Sequence, residues 1–472
     1  MPKKVHFIGV CGTAMGSVAA AMKAKGYDVS GSDENVYPPM STFLEQEGVV
    51  IQKGYKREHV PDDADVVVIG NAISRGNEEA ETTLEKKCLY QSLPEVLKEH
   101  FLRGKRNLVV AGTHGKTTTT SILTWLLENA GKNPSHMIGG IPKNLGKGAR
   151  FTDSDFVVLE GDEYDTAFFD KRSKFLHYLP EVAVINNIEF DHADIYDSID
   201  EIKLTFSRLL RIVPRNGMAY VNADDANCLD VCKTAPAPIT LVGFAEHADV
   251  RIEDVDYQET GSAFTLRGER YHIPMSGEFN VRNAAMAACA ALFSGLSADE
   301  VREGLESFEG IARRQELRGE VNGIKVIDDF AHHPTAIELA VKALRQQYDG
   351  ARLWVIFEPR SNTTRRNIFQ KELAQALSGA DLAVVSGVPD PQKVEEEDRL
   401  DPSRLIDDIN SLGNKGFYRE TVGEIVDLVK DRAEYGDVVA VLSNGGFDGI
   451  HTKLLNSLKG EVVSASFDKS SS

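Results

Sequence analysis

Cysteine is scarce in this sequence. Cys11, Cys88, Cys228, Cys232 and Cys289 are odd in number and scattered, which argues against the disulfide framework of a small secreted protein. Cys228 and Cys232 stand one helical turn apart, but the segment offers no further ligands at zinc spacing. Both read as packing thiols, and no structural metal is expected. Proline is thin too, 17 residues against 39 glycines, and with 42% hydrophobic content this excludes collagen-like or generally disordered chains. Long apolar runs are missing. The stretch after Met1-Pro-Lys-Lys4 starts like a signal peptide, but Gly9, Gly12 and Gly16 break it. No other run reaches the ~18 apolar residues of a membrane helix, so a cytoplasmic protein without a membrane partner is expected. Positive charge is in deficit: 53 Lys and Arg face 72 Asp and Glu, a net charge of −19, which disfavours nucleic acid as a partner.

What is present is an α/β pattern repeated along 472 residues. At ~100–200 residues per domain the length allows two to four domains. Short β-branched runs alternate with helical patterns at Val5–Ile8, Ala14–Lys25, Asp28–Ser32, Met40–Glu47 and Asp65–Ile69, predicting a parallel, doubly wound sheet. A basic joint, Arg103-Gly-Lys-Arg106, precedes a new strand at Asn107–Ala111 and a helix at Thr117–Asn129. Strands are expected at Phe156–Leu159, Val182–Asn186 and Met218–Val221, then a β-rich stretch at Val250–Ile273 and a helix at Asn283–Leu292. After Gly310-Ile-Ala-Arg-Arg314 the pattern restarts, with strands at Lys325–Ile327, Leu353–Phe357, Leu382–Ser386 and Val438–Leu442, and helices after Pro334 and near Phe369–Leu377. The polar tail Ser464–Ser472 is expected to fray. Three successive α/β domains follow, bounded at 1–106, 107–313 and 314–472.

The strongest local signal is Leu108-Val-Val-Ala-Gly112-Thr-His-Gly115-Lys116-Thr117-Thr118-Thr119-Thr120, an apolar strand passing through a glycine turn into a helix. A triphosphate needs N–H groups unobstructed by Cβ atoms, a cation on its β/γ oxygens and a hydroxyl to share its magnesium. Gly112 and Gly115, Lys116 and Thr117 supply these at a helix N-terminus. Full Walker spacing would place glycine at position 110, where Val110 stands, so the loop is a shorter variant.

Glu160-Gly-Asp-Glu163-Tyr-Asp165 and Asp191-His192-Ala-Asp194 each follow an apolar run, at the strand end where open α/β sheets bind ligands. Magnesium takes hard oxygen ligands, which suits Glu160; His192 by itself reads more readily as a hydrogen-bonding or capping residue. Gly9-Val-Cys-Gly12-Thr-Ala-Met-Gly16 lacks the dinucleotide fingerprint, with Cys11 and Ala14 at two of its glycine positions. Such a turn can hold a diphosphate, with Ser32-Asp33 near a ribose, or serve helix–strand packing alone. His332 and His333 are adjacent and so point apart, which favours a pre-helix turn ending in Pro334 over a metal site.

Together these motifs resemble the Mur ligase family of ATP-dependent amide-forming enzymes over nearly the whole chain. The carriers are Gly9–Gly16, Gly112–Thr119, Glu160–Asp165, Asn186–His192, Gly277-Glu-Phe-Asn280-Val-Arg-Asn283, Arg313-Arg314 and Asp328-Asp-Phe-Ala-His-His333-Pro334. The resemblance implies a Rossmann-like first domain for UDP-N-acetylmuramate, a central P-loop ATPase-like domain and a Rossmann-like third domain for the amine acceptor. Ala167–Phe175, Glu358-Pro-Arg-Ser-Asn-Thr363 and Ser443–His451 resemble the members that attach a recovered murein tripeptide. The alternatives are members that add L-alanine, or a non-catalytic nucleotide-binding homologue.

By resemblance, Gly9, Gly12, Met15, Ser32, Asp33, Asn71 and Ser74 would hold the UDP-sugar. Thr113, His114 and Thr118 join the phosphate loop, Asn280 and Asn283 take the adenine side, and Arg314 and Asp329 the γ-phosphate and ribose side. Lys116, His192 and Arg314 are the implied catalytic residues, and Thr117, Glu160 and His192 the implied magnesium ligands. Read without the family, the two asparagines fit a helix N-cap region and Arg313-Arg314 a solvated linker. Several relatives carry a carbamylated lysine after the Asp-His motif; here Ser207 or a neighbour stands there and Lys203 lies too early, so carbamylation is not expected. The tripeptide is anionic, which makes Arg360, Lys453 and His451 candidate acceptor contacts; a solvated face explains each at least as well, and only Arg360 is carried forward as the expected contact. Ligands spread over three domains imply closure to keep an acyl phosphate from water.

Overall fold

A computed structural model describes residues 3–192, 195–258 and 260–459. Asp194 and the tail Ser464–Ser472 lie outside the described residues. By contacts the chain divides into two units. One runs through the described residues to Val255 and takes in Phe264–Ile273 and Arg282–Glu309; the other holds Asp256–Ala263, Pro274–Val281 and the described chain from Gly310 onward. Among the described residues no helix is long and apolar enough to cross a membrane.

The first sheet is built from β1 (Lys4–Ile8), β2 (Asp28–Asp33), β3 (Val50–Lys53), β4 (Val66–Ile69) and β5 (Tyr90–Ser92), all parallel, in the order β3-β2-β1-β4-β5. The order reverses between β1 and β4, so the loops leaving those strands, Gly9–Gly12 and Gly70–Ser74, flank the crevice where such sheets bind ligands. Gly12 caps the helix Thr13–Ala24. A Cβ at Gly16 would lie 2.5 Å from Met40 Sδ, so glycine is what lets this helix close on its neighbour Met40–Gln46.

The central sheet takes ten strands: β6 (Arg106–Ala111), β7 (Ser135–Met137), β8 (Ala149–Arg150), β9 (Phe156–Glu160), then, after a separate hairpin of β10 (Asp165–Ala167) and β11 (Asp170–Ser173), β12 (Val182–Ile185), β13 (Met218–Asn222), β14 (Ile239–Gly243), β15 (Val250–Gln258), β16 (Gly261–Leu266) and β17 (Glu269–Ile273). Their order is β17-β16-β15-β14-β13-β12-β6-β9-β7-β8. β6 pairs in parallel with β9 on one side and β12 on the other, so the chain grows outward in both directions from the phosphate-loop strand. The stretch expected as one β-rich run proves to be three strands. Arg267 and Gly268, at φ 54° and 82°, supply the tight turn between the last two.

The third sheet, with order β18-β19-β23-β20-β21-β22, comprises β18 (Glu316–Val321), β19 (Ile324–Asp329), β20 (Leu353–Phe357), β21 (Leu382–Ser386), β22 (Lys415–Arg419) and β23 (Val438–Leu442). All pairs are parallel except β18–β19, which turn at Asn322-Gly323. On β20, Leu353, Val355 and Phe357 enter one core cluster while Trp354 and Ile356 enter the other. Both faces are covered, which is why these strands read as unbroken apolar runs.

The helix expected at Asn283–Leu292 runs from Glu278 to Phe293. Gly277, at φ 101°, turns the chain one residue before it. Asn280 and Asn283 therefore lie within the helix rather than at its cap. All five cysteines are free; burial pushes the Cys289 thiol up to about 12 and the Cys232 thiol to about 11.

Candidate active site

The phosphate loop joins β6 to the helix Lys116–Asn129. Gly112 (φ 133°) and Gly115 (φ 79°) hold backbone that side chains disfavour. A Cβ on Gly115 would lie 2.6 Å from Asn283 Oδ1 and 3.0 Å from Asn186 Nδ2, so the loop is walled by two asparagine amides. Asn187 fastens it further. Its carbonyl accepts the Thr113 N–H at 3.0 Å, its side-chain oxygen accepts the His114 N–H at 2.7 Å, and its amide donates to the His114 carbonyl at 3.1 Å. Thr113 Oγ1 accepts the Glu189 N–H at 2.8 Å, and His114 Nε2 stands 3.4 Å from Glu189 Oε2. Thr118 is buried in the first helical turn, and the helix start presents N–H groups without intrahelical partners toward the loop.

Lys116 folds back over this loop. Its Nζ donates to the Gly112 carbonyl at 2.7 Å, the Thr113 carbonyl at 3.2 Å and both oxygens of Glu163 at 3.0 and 2.8 Å. Burial works against its charge, but the carboxylates of Glu163, Asp162 and Glu160 outweigh that and hold its pKa above the ordinary lysine range. Thr117 Oγ1 donates to Glu160 Oε1 at 3.0 Å, and the Gly139 N–H donates to Glu160 Oε2 at 2.7 Å. A hydroxyl and a carboxylate side by side, both hard oxygens at the mouth of the loop, suit magnesium.

Glu163, quoted in the Glu160–Asp165 motif but given no role there, is where these contacts meet. Its side chain is almost wholly buried, and it receives His192 Nε2 at 3.2 Å as well as Lys116. His192 has left-handed backbone (φ 56°), which turns the chain after β12 toward the glutamate. Burial depresses its imidazole pKa, yet the hydrogen bond and charge of Glu163 prevail and raise it above the usual value. Asp162 is held low, burial notwithstanding, by Lys174, at 2.6 Å, and by Lys116. Asn186 and Asn187 were also passed over. The signal for all three was position, since each follows an apolar strand run as Glu160 does. Lys203 pairs with Asp230 at 2.5 Å, on the helix Ile199–Ile212.

In the first sheet Gly9 (φ 85°) and Val10 donate their N–H groups to the Ser32 carbonyl at 2.8 and 3.0 Å, and Asp33 accepts the Cys11 N–H at 2.9 Å. The Gly9–Gly12 turn and the Ser32–Asp33 strand end thus form one piece. Met15 is buried behind it, while Asn71 and Ser74 are exposed on the loop after β4. The Ser32 hydroxyl points inward and donates to buried Glu79.

In the other unit, Asn280 Nδ2 donates to the Ser276 carbonyl at 2.8 Å. The Arg314 guanidinium lies over Phe330, 4.9 Å from the ring centre. Asp329 accepts the Gln315 and Ala331 N–H groups at 2.8 and 2.7 Å; burial raises its pKa although Arg314 pulls the other way. Arg313 donates to the carbonyls of Ser443 and Gly445, both at 2.7 Å. It is therefore a structural clasp between strand ends rather than a solvated linker. Arg360, half-exposed, lies across Gly445, where any Cβ would come within 2.4 Å of its Cδ. Glu358 holds it at 3.4 Å and is itself bonded by the Ser443 hydroxyl. His451 pairs with Asp328 at 3.3 Å, and Lys453 with Asp448. His333 is the N-cap of the helix Pro334–Gln347, and its ring packs edge-on to Phe369. The ends of β19, β23 and β20 thus gather Asp328, Asp329, Ser443, Glu358 and Arg360 at the carboxyl edge of the third sheet.

Comparison with known proteins places the whole chain in one family. Residues 4–105 match the profile of the Mur ligase family, catalytic domain; residues 110–291 match the Mur ligase middle domain; and residues 313–445 match the Mur ligase, glutamate ligase domain. The UDP-N-acetylmuramate–L-alanyl-γ-D-glutamyl-meso-2,6-diaminoheptandioate ligase of Escherichia coli K12 is 41% identical over 470 residues, 98% of this chain and 100% of that one. Its counterpart from Haemophilus influenzae is 39% identical over 97% and 99%. The crystal structure of a murein peptide ligase from Psychrobacter arcticus superposes with a TM-score of 0.70 at 36% identity, covering 98% of this chain and 99% of that one. The UDP-N-acetylmuramate–alanine ligase of Thermotoga maritima reaches a TM-score of 0.76 at 23% identity, over 96% and 98%, which speaks for the fold alone. With relatives matched end to end and three domain profiles met in series, the chain belongs to the Mur ligase family.

Proposed function

We propose that this chain is an ATP-dependent ligase that joins L-alanyl-γ-D-glutamyl-meso-diaminopimelate to the lactyl carboxylate of UDP-N-acetylmuramate, returning recovered peptide to cell-wall synthesis in the cytoplasm. The observation that carries the reading is the 41% identity, end to end, with a ligase named for those substrates. Its net charge of −19 leaves nucleic acid an unsuitable partner.

A carboxylate is a poor acyl donor until its oxygen attacks the γ-phosphorus of ATP, releasing ADP and leaving an acyl phosphate. The peptide amine then attacks the acyl carbon, phosphate departs, and an amide remains. Phosphoryl transfer of this kind depends on positioning and charge neutralisation. In this reading the helix N-terminus at Lys116 and the Gly112–Gly115 backbone cradle the phosphates, and Lys116 leaves Glu163 for the β/γ oxygens. The Thr117 hydroxyl and Glu160 fit one magnesium, with His192 assigned to a second; bound magnesium would neutralise phosphate charge. Asn280 and Asn283 take the adenine side, and Arg314 and Asp329 the γ-phosphate and ribose side. Gly9, Gly12, Met15, Ser32, Asp33, Asn71 and Ser74 take the UDP-sugar, and Arg360 a carboxylate of the peptide. The corresponding domains are 1–106, 107–313 and 314–472.

The test is phosphate release by the purified protein with ATP, UDP-N-acetylmuramate and each of L-alanine, dipeptide, tripeptide and tetrapeptide. Release with tripeptide and none with L-alanine is expected. Release with L-alanine alone would move the chain to the alanine-adding reaction, and the absence of release with every acceptor despite nucleotide binding would make it a non-catalytic homologue.

A further inference from the structure

A buried carboxylate lies beneath the first sheet. Glu79, on the helix Glu78–Glu85, has no exposed surface. Its Oε2 accepts from the Ser32 hydroxyl on β2 and from His6 Nε2 on β1 at 3.2 Å. Its Oε1 accepts the Lys56 N–H at 3.1 Å and His59 Nδ1 at 2.9 Å, both on the segment after β3. Burial alone would push this carboxyl up, but the hydrogen bonds from His6 and Ser32 prevail and hold it below its ordinary range. One ionised side chain therefore ties together two strands, a loop and a helix start.

Two of these connections, Ser32 and the helix start, lead to segments beside the crevice. The Ser32 carbonyl holds the N–H groups of Gly9 and Val10, and Asp33 beside it holds those of Cys11 and Asn35. On the other side of the reversal, the Asn77 side chain caps the Glu79 and Ala80 N–H groups, while the Asn77 N–H donates to the Ser74 carbonyl at 3.3 Å. Packed apolar residues often match a buried charge in stability, so stability alone does not account for a carboxylate at this place.

We infer that Glu79 is a positioning residue for the nucleotide sugar: acting through Ser32 and the start of its own helix, it fixes Gly9–Gly12, Ser32–Asp33 and Asn71–Ser74 in mutual register. The inference rests on the proposal that those segments hold UDP-N-acetylmuramate. At metal sites, removing a group that orients a ligating residue typically costs 10–100-fold in affinity, and an effect of the same order is expected here. In the full-length protein, Glu79→Gln is therefore expected to weaken UDP-N-acetylmuramate binding, read by calorimetric titration, at least about tenfold. Affinity for a non-hydrolysable ATP analogue should stay within about twofold, as it would not if the fold were generally loosened. His59→Leu, which removes one donor from the carboxylate, should shift the same affinity in the same direction and carries the test if Glu79→Gln does not fold. Asp33→Ala separates the two ideas. Should it leave sugar affinity intact, the assignment of the binding segments fails; should it weaken binding while folded Glu79→Gln or His59→Leu does not, the positioning role of Glu79 is overturned.

Discussion

The Lys116 ammonium rests 2.8 Å from Glu163 Oε2, and both groups are largely buried. Glu163 also receives His192, so the phosphate-loop lysine and the histidine after β12 share one carboxylate. The lysine is thereby kept charged and aimed at the loop before any phosphate arrives. On the proposal that this loop cradles ATP, anionic phosphate would compete with Glu163 for the same ammonium, and the helix start and Thr117 would add further donors.

Replacing Lys116 by Ala removes the cation from the loop and strands Glu163 in the interior. ADP release in the complete assay should fall by about 10²–10³-fold, the usual loss when one preorganised charge-stabilising group is removed. Stability should fall by about 3–5 kcal/mol, since the partner of a buried ion pair is left uncompensated. The double variant Lys116→Ala, Glu163→Gln should recover much of that stability, measured by urea unfolding, without recovering activity. Recovery of activity in the double variant would remove Lys116 from the chemistry.

Glu160 makes a different prediction, because a hydroxyl and a backbone N–H hydrogen-bond its two oxygens. Glu160→Gln keeps the shape and both hydrogen-bonding partners but loses the anionic oxygen. The magnesium concentration for half-maximal ADP release should rise by about 10–100-fold, with UDP-N-acetylmuramate affinity unchanged. An unaltered magnesium dependence would take Glu160 out of the metal site.

The phosphate loop could be read from sequence because its chemistry is local: strand, two glycines, lysine and threonine within a dozen residues. Strands Leu353–Phe357, Leu382–Ser386 and Val438–Leu442 were predicted to the residue for a related reason, since burial on both faces leaves unbroken apolar runs. The hairpin Asp165–Ser173 has no such run, and its turn pair Phe168–Phe169 finds its packing partners, Tyr90 among them, in the first sheet. Asn322-Gly323, by contrast, is a turn pair legible in the sequence. The contacts of Glu163, Asn187 and Glu79 are hidden in the sequence because their partners lie far along the chain, 73 residues away in the case of Asn187 and His114. No window over the sequence contains both ends of such a bond.

Gly115 separates backbone strain from steric demand when set beside Gly131. Both have left-handed φ, 79° and 70°, but a Cβ on Gly115 would strike Asn283 and Asn186, whereas one on Gly131 meets nothing within 4 Å. Alanine at either site should lower stability by about 1–2 kcal/mol from the backbone alone. Gly115→Ala should lose more than that in thermal unfolding and should also weaken ATP-analogue binding, because the asparagine wall must shift away from the loop. Equal losses at the two sites would mean that the close approach of Asn283 carries no energetic weight.

His136 gives the fold a pH dependence independent of the active site. It lies on β7, almost fully buried, with Nε2 donating to the Lys147 carbonyl at 3.2 Å. Burial is the main cause that depresses its pKa from 6.5 to about 4, and the charge of Arg150 adds to it. Above pH 6.5 the imidazole is neutral in folded and unfolded chains alike and stability is unaffected. Between pH 6.5 and about 4 the unfolded chain takes up a proton that the folded chain refuses, so stability falls as pH falls. The loss should approach about 3 kcal/mol by the lower end of that window. Carboxylates held low by their partners, such as Asp162 and Asp328, have an ordinary value of 3.8 and lose stabilising power only at more acid pH. His136→Gln keeps a donor for the Lys147 carbonyl but cannot take up the proton, so urea unfolding of this variant should give a flatter stability profile between pH 6.5 and 4.5. A variant with the same slope as the unaltered protein would place the acid sensitivity elsewhere.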